Sequence, residues 1–199
     1  MPQDLSAVAW PLRTARLTLR PATADDVDAT WRIRRQPEVG RWITRAPTER
    51  EVYAEAFRDP ERLAMTLVYE RDGRVIGDLM LRLEDAWAQV EVADRARGVQ
   101  AELGWTVDPA EGGHGYATEA VAELVRVCFE ELGLRRVLAS CFADNTASWR
   151  LMERVGMRRE SFTVADSLHR SGAWLDGLTY AMLSEEWRRA AAGPVGGPV

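Results

Sequence analysis

Gly112-Gly113-His114-Gly115-Tyr116-Ala117-Thr118-Glu119-Ala120 joins two segments of unlike periodicity. Before it, Gln100-Ala101-Glu102-Leu103-Gly104-Trp105-Thr106-Val107 reads as a strand that Asp108-Pro109 breaks. After it, Ala117, Ala120, Val121, Leu124, Val127, Cys128 and Leu132 recur at spacings of three and four, one face of a helix that Gly133 ends. Glycines at 112, 113 and 115 let main-chain N–H groups approach an anion closely, and the helix start adds its unpaired donors and the positive end of its dipole. Strand, glycine turn and helix in this order make a cradle for a diphosphate, although the glycines alone fit an ordinary strand-to-helix turn equally well. The stretch does not fit Gly-x-x-x-x-Gly-Lys-Ser/Thr, and its strand lies mid-chain, whereas a dinucleotide fingerprint usually opens a fold.

Working outward, Arg16-Leu17-Thr18-Leu19-Arg20 alternates as a strand, and Thr23 opens a helix with Asp25 and Asp26 in its first turn, running to about Arg35. Thr48 and Glu51 have the spacing of a capping box for a second helix. Strands over residues 64–70 and 75–83 flank Arg71-Asp72-Gly73-Arg74, whose Asp-Gly pair predicts an antiparallel hairpin. Residues 84–98 are polar and read as a loop or ragged strand extension. Beyond Gly133 the pattern predicts a strand over 136–142, a helix from Asn145 to Gly156, and strands over 157–165 and 174–183. The expectation is one mixed α/β domain over 14–189, preceded by a flexible segment 1–13 and followed by a disordered tail 190–199.

Composition narrows the chemistry. The 199 residues carry a formal charge of −5 and include 26 basic residues, every one an arginine. Without lysine there is no P-loop phosphate lysine and no Schiff base. The acidic balance, with pI about 5.2, argues against a nucleic-acid partner and favours a cationic one. Cys128, Cys141, His114 and His169 are the whole stock of cysteine and histidine, so a zinc site would consume all four; buried packing is the better reading of both cysteines, and no metal is expected. No apolar run approaches a bilayer span and the first ten residues lack a leader pattern, so no membrane partner and a cytoplasmic location are expected.

The glycine turn resembles motif A of the GCN5-related N-acetyltransferases, with Gly115 and Ala117 matching and Gly112 in the place of the usual Gln or Arg. Asn145-Thr146-Ala147-Ser148-Trp149-Arg150-Leu151-Met152-Glu153-Arg154-Val155-Gly156-Met157 is similar to a second segment of that family. Ala101-Glu102-Leu103-Gly104-Trp105 and the Trp174-to-Trp187 ending are similar to its branch of ribosomal-protein N-terminal (RimJ/RimL-type) acetyltransferases. The likeness spans residues 14–187. It implies a largely antiparallel sheet of six or seven strands, splayed at the cofactor strand and flanked by about four helices. It also implies acetyl-CoA as cosubstrate, with homodimer formation open.

The same resemblance distributes roles. Acetyl transfer needs a neutral amine, a stabilised oxyanion and a proton for the departing thiolate. Glu102 is the expected base, with partial burial lifting its pKa toward neutrality and Asp176 and Glu160 in reserve. The main chain of Trp105, Thr106 and Val107 is expected to pair with the pantetheine arm, and residues Gly112, Gly113, His114, Gly115, Tyr116, Ala117 and Thr118 to hold the pyrophosphate. The family's thiolate-protonating tyrosine falls on Met152, which leaves Ser148 as the acid, while Asn145 can cap its helix or bind the pantetheine. Trp31, Trp42, Trp87 and Trp174 fall near acceptor-side elements. The implied acceptor is a protein N-terminal α-amine. The alternatives are a small-molecule amine such as a polyamine, amino acid or aminoglycoside, or a non-catalytic acyl-CoA sensor.

Overall fold

The structure, a computed structural model, describes residues 5–192. Eight strands form one sheet: β1 (Leu12–Arg13), β2 (Thr18–Pro21), β3 (Thr66–Arg71), β4 (Arg74–Glu84), β5 (Gln100–Val107), β6 (Arg136–Phe142), β7 (Arg158–Leu168) and β8 (Trp174–Leu183), in the order β1-β2-β3-β4-β5-β6-β8-β7. The count exceeds the expected six or seven because Leu12–Arg13 adds a short edge strand beside β2. Every pairing is antiparallel except β5 with β6. Asp72 and Gly73 both adopt positive φ, +51° and +76°, so the β3–β4 hairpin closes through the turn its Asp-Gly pair predicts.

The helices are α1 (Val27–Arg34), α2 (Pro37–Gly40), α3 (Arg50–Phe57), α4 (Pro60–Ala64), α5 (Tyr116–Arg126), α6 (Thr146–Arg154) and α7 (Ser184–Ala191). That is more than the expected four. α2 and α4 are single short turns, each opened by a proline at its start, and α7 follows β8 directly. Helix α5 buries Ala120, Val121 and Leu124 completely, together with Val127 and Cys128 in the wide π-turn Val127–Glu131 that prolongs it. These residues pack with Leu79, Leu81, Ala101 and Leu103 on one face of the sheet. α1 and α3 cover the other face, packing Val27, Ile33, Tyr53 and Phe57 against Val68 and Val75.

Three local expectations change. α3 begins at Arg50 with Glu49 at its N-cap and no side-chain cap, so Thr48 and Glu51 make no capping box. Residues 84–98, read as a loop or strand extension, contain the 3-10 segment Val90–Ala96 and expose Trp87 (92%). The segment before residue 14, expected to be flexible, carries Leu5 and Val8 into the core from Leu5 onward, and the Trp10 indole donates to the Leu5 carbonyl at 2.7 Å. The expected tail begins inside α7, and its last seven residues lie outside the described residues. No helix among the described residues is long and apolar enough to cross a membrane.

What positions the site is the end of one pairing. β5 is paired with β4 along its whole length but with β6 only through residues 100–102 against 136–138. Past Glu102 the two parallel strands part, and main-chain groups of residues 103–107 are left facing the gap.

Candidate active site

A cavity opens on each side of this gap. One, about 760 Å³, is lined by the glycine turn, the end of β5 and the first turns of α6. The other, about 540 Å³, lies under α1, α3 and α4 and the segment 42–49. Trp42, Ile43, Trp105, Thr106, Asn145 and Ser148 line both, so a group passed between the cavities passes these residues.

The glycine turn is built as an anion cradle. Gly113 and Gly115 sit at φ +79° and +81°, backbone that side chains rarely adopt, and Gly115 is the N-cap of α5. None of the amides of residues 113–118 donates to an acceptor among the described residues, which leaves a run of N–H groups at the positive end of α5. The turn is braced from below by buried Asp108, which pairs with Arg32 at 3.2 Å and Arg74 at 3.1 Å. It is braced from the side by Arg16. That guanidinium donates to the His114 carbonyl at 2.9 Å and to Glu119 at 2.7 Å, and stands 4.6 Å from the Tyr116 ring centroid. Arg16 alternates within a strand pattern in the sequence, and nothing local signals that its side chain reaches the turn. His114 is exposed at the edge of the cradle and stacks on Tyr116, centroids 5.6 Å apart.

Along β5 the three expected residues divide. The Thr106 carbonyl accepts from Tyr69 at 2.7 Å and its hydroxyl donates to Asp78 at 2.7 Å. Tyr69 reaches across β4 over Gly77, where a Cβ would lie 2.1 Å from the ring. Asp78, 1% exposed, is in turn forked by Arg34, whose Nε donates at 2.9 Å. Thr106 is thus tied to β4 and the buried ion pair, and by strand alternation the main chains of Trp105 and Val107 face the gap.

At the start of α6, Asn145 caps the helix: its Oδ1 accepts from the Ser148 amide at 3.4 Å, and its carboxamide nitrogen has no partner among the described residues. Ser148 borders both cavities, while Met152, one turn on, is fully buried in the core. Burial pushes the Cys141 thiol on β6 up to about 11, and the Ser148 hydroxyl beside it opposes the shift. Cys141 therefore differs from its expected buried role, because it lines the acceptor-side cavity, whereas Cys128 is fully buried.

Glu102 lines the acceptor-side cavity two residues before Gly104. Its Oε2 is ion-paired with Arg82, its direct cross-strand partner, and its Oε1 has no partner among the described residues. The reserve carboxylates lie elsewhere: Glu160 is paired with Arg136 and Arg158, and Asp176 accepts from the Ala165 amide at 2.9 Å. Neither lines a cavity. Of the four tryptophans, Trp42 lines both cavities and Trp31 packs behind the acceptor side on Tyr53, whereas Trp87 and Trp174 are exposed. Trp42 is held in place from a distance. His169, at the β7–β8 tip, bonds the Arg41 carbonyl at 2.9 Å and lies 5.9 Å from the Trp42 ring, and Arg170 donates to the Ile43 carbonyl at 2.5 Å.

Residues 16–158 match the acetyltransferase (GNAT) domain family model. The chain belongs to the GNAT acetyltransferase family. A GNAT acetyltransferase from Bacillus anthracis matches at 26% identity with a TM-score of 0.74, covering 88% of this chain and 99% of that one. RimJ of Mycobacterium smegmatis, solved in complex with CoA-disulfide, matches at 26% identity with a TM-score of 0.68 over 89% of each chain. An uncharacterized N-acetyltransferase of Bacillus subtilis, YnaD, is 38% identical over 86 residues, which is 43% of this chain and 50% of the relative. This GNAT protein is an acetyl-CoA-dependent N-acetyltransferase. The residues present suit coenzyme A: unbonded amides and a helix start for its diphosphate, free strand edge and the Asn145 amide for its amide-bearing arm.

Proposed function

We propose that this GNAT enzyme acetylates the primary amine of a small molecule that occupies the 540 Å³ cavity, while acetyl-CoA lies in the other with its thioester at Trp105 and Ser148. The observation that carries this reading is that the two cavities meet at those residues. In this reading the residues take the roles that the resemblance implies. The free Oε1 of Glu102 accepts the ammonium proton, directly or through water, with Arg82 holding the carboxylate in place. A main-chain N–H of Trp105 or Val107 faces the developing oxyanion. As the C–S bond breaks, Ser148 gives its proton to the departing thiolate and takes up the second proton that the amine nitrogen loses, and Met152 takes no part.

A volume of this size suits a small ligand enclosed by side chains. A protein N-terminus, the acceptor the resemblance implies, is decided by the same assay. Release of free CoA thiol from acetyl-CoA is followed with a panel of small amines and with peptides bearing free N-termini. Saturable release with small amines and little with peptides is the expected result. Preference for peptides would reassign the acceptor, and tight acetyl-CoA binding with no amine-dependent release would make the protein a sensor.

A further inference from the structure

The acceptor-side cavity has a charge balance opposite to that of the chain. Arg34 is neutralised there by Asp78 and Glu102 is held by Arg82, so the unpaired charges facing the space are Arg45 and Arg62 against Glu49. Glu49 is exposed and pairs with neither arginine. Arg62 is not a solvent-flooded surface cation. It is half-buried, with its guanidinium 5.1 Å from the Tyr53 ring centroid and 5.2 Å from that of Phe57. Glu61, next to it in the chain, is exposed and forms no ion pair with it, and Asp59 is occupied in capping α4, where it accepts from the amides of Glu61 at 2.9 Å and Arg62 at 3.1 Å. Burial, then the neighbouring Arg34, pull the Arg62 guanidinium below its ordinary value.

The ring that Arg62 stands over belongs to Tyr53, whose hydroxyl is fully buried. A half-buried cation without a counter-ion is costly to leave so. That cost falls when a ligand brings an anion with free lone pairs, and the guanidinium fork matches a carboxylate in two parallel hydrogen bonds.

We infer that the acceptor is a primary amine carrying a carboxylate, seated with that carboxylate on Arg62 and Arg45 and with its ammonium toward Glu102 and the Ser148–Trp105 junction. This rests on the reading of the cavity as the acceptor site. It narrows the small amines to the amino-acid type, since a polyamine or aminoglycoside brings only cations to Arg62. A protein N-terminus presents an amide where a carboxylate is wanted.

The test uses matched pairs: each of the common amino acids and its carboxamide, with spermidine alongside. The parent enzyme should favour the best acid over its amide at least tenfold in kcat/KM. Arg62→Gln should remove that preference mainly through KM, and Arg62→Lys should restore part of it. Acetyl-CoA affinity and Tm are expected to hold in both variants. Equal use of acid and amide, preference for spermidine, or a preference that survives Arg62→Gln would overturn the inference. If no amine is acetylated, the functional reading itself fails and a binding arm still decides the anion site. Calorimetry of N-acetyl amino acids and their amides against the CoA-saturated protein should show the acid at least tenfold tighter, with the difference lost in Arg62→Gln. Equal binding, or none, would overturn it.

Discussion

The two cavities are made of different material. The 760 Å³ cavity, the proposed cofactor side, is largely main chain: N–H groups of residues 113–118, the free edge of β5 beyond Glu102 and a helix start. The 540 Å³ cavity, the proposed acceptor side, is side chain: Glu102 from β5, Cys141 from β6, Tyr53 and Arg62 from α3 and α4, Ser148 from α6, and Trp42 from a segment pinned by the β7–β8 tip. A site made of backbone recognises what every acyl-CoA shares. A site made of converging side chains can be rewritten one residue at a time, which is how one fold takes many acceptors.

The largest way to sharpen that contrast is Glu102→Gln, which preserves shape but cannot take a proton. It should lower kcat/KM by about 10² to 10⁴ near neutrality, and the loss should shrink at high pH as free amine accumulates. A Glu102→Gln enzyme with the parental pH profile would remove Glu102 from the mechanism and leave a water relay. Ser148→Ala is next, with kcat down about 10²-fold where chemistry limits the rate and acetyl-CoA affinity nearly unchanged. An unchanged kcat in that regime would make Ser148 an ordinary first-turn helix serine.

The smallest effect belongs to the brace beside the cradle. Burial pushes the Glu119 carboxyl up, but its bonds from the Thr14 hydroxyl and Arg16 outweigh that and hold it below its ordinary value of 4.5. Its contribution to stability is therefore complete above 4.5 and fades as the pH falls through the lowered folded-state value. Because Arg16 is largely exposed, Glu119→Gln should cost only about 1 kcal/mol at pH 7. Thermal melts should show that difference narrowing in acid; a gap that widens below pH 4.5 would contradict the assignment.

The same contrast explains what was legible before any coordinates. The glycines at 113 and 115, the strand 100–107 and the periodic face of α5 state their roles locally, since positive φ, alternation and a 3.6-residue repeat are short-range properties. Ser148 and Glu102 are named only through resemblance, and both border the 540 Å³ cavity. Arg16, Arg62, Cys141 and the hold of His169 on the 42–49 segment were not legible, because each acts across a long stretch of chain and has no motif of its own. Net charge is equally silent on such detail: −5 over the chain says nothing of two unpaired guanidinium groups lining one cavity. Strand and helix counts fell short where edge pairing and single turns depend on packing, as with Leu12–Arg13 and Pro37–Gly40.

The claim that the main chain of the glycine turn holds the cofactor while side chains choose the acceptor is tested most directly by calorimetric titration of acetyl-CoA. The proteins compared are the parent, Gly115→Asp and Arg62→Gln. A side chain at 115 meets a left-handed φ of +81° and Arg16 at 3.5 Å, and an aspartate there adds a negative charge among the donors meant for a diphosphate. Binding should weaken by about 10²-fold or more in Gly115→Asp, as expected for like charges set face to face, and stay at the parental value in Arg62→Gln. Parental affinity in Gly115→Asp would place the cofactor elsewhere, and lost affinity in a folded Arg62→Gln protein would end the division of labour between backbone and side chains.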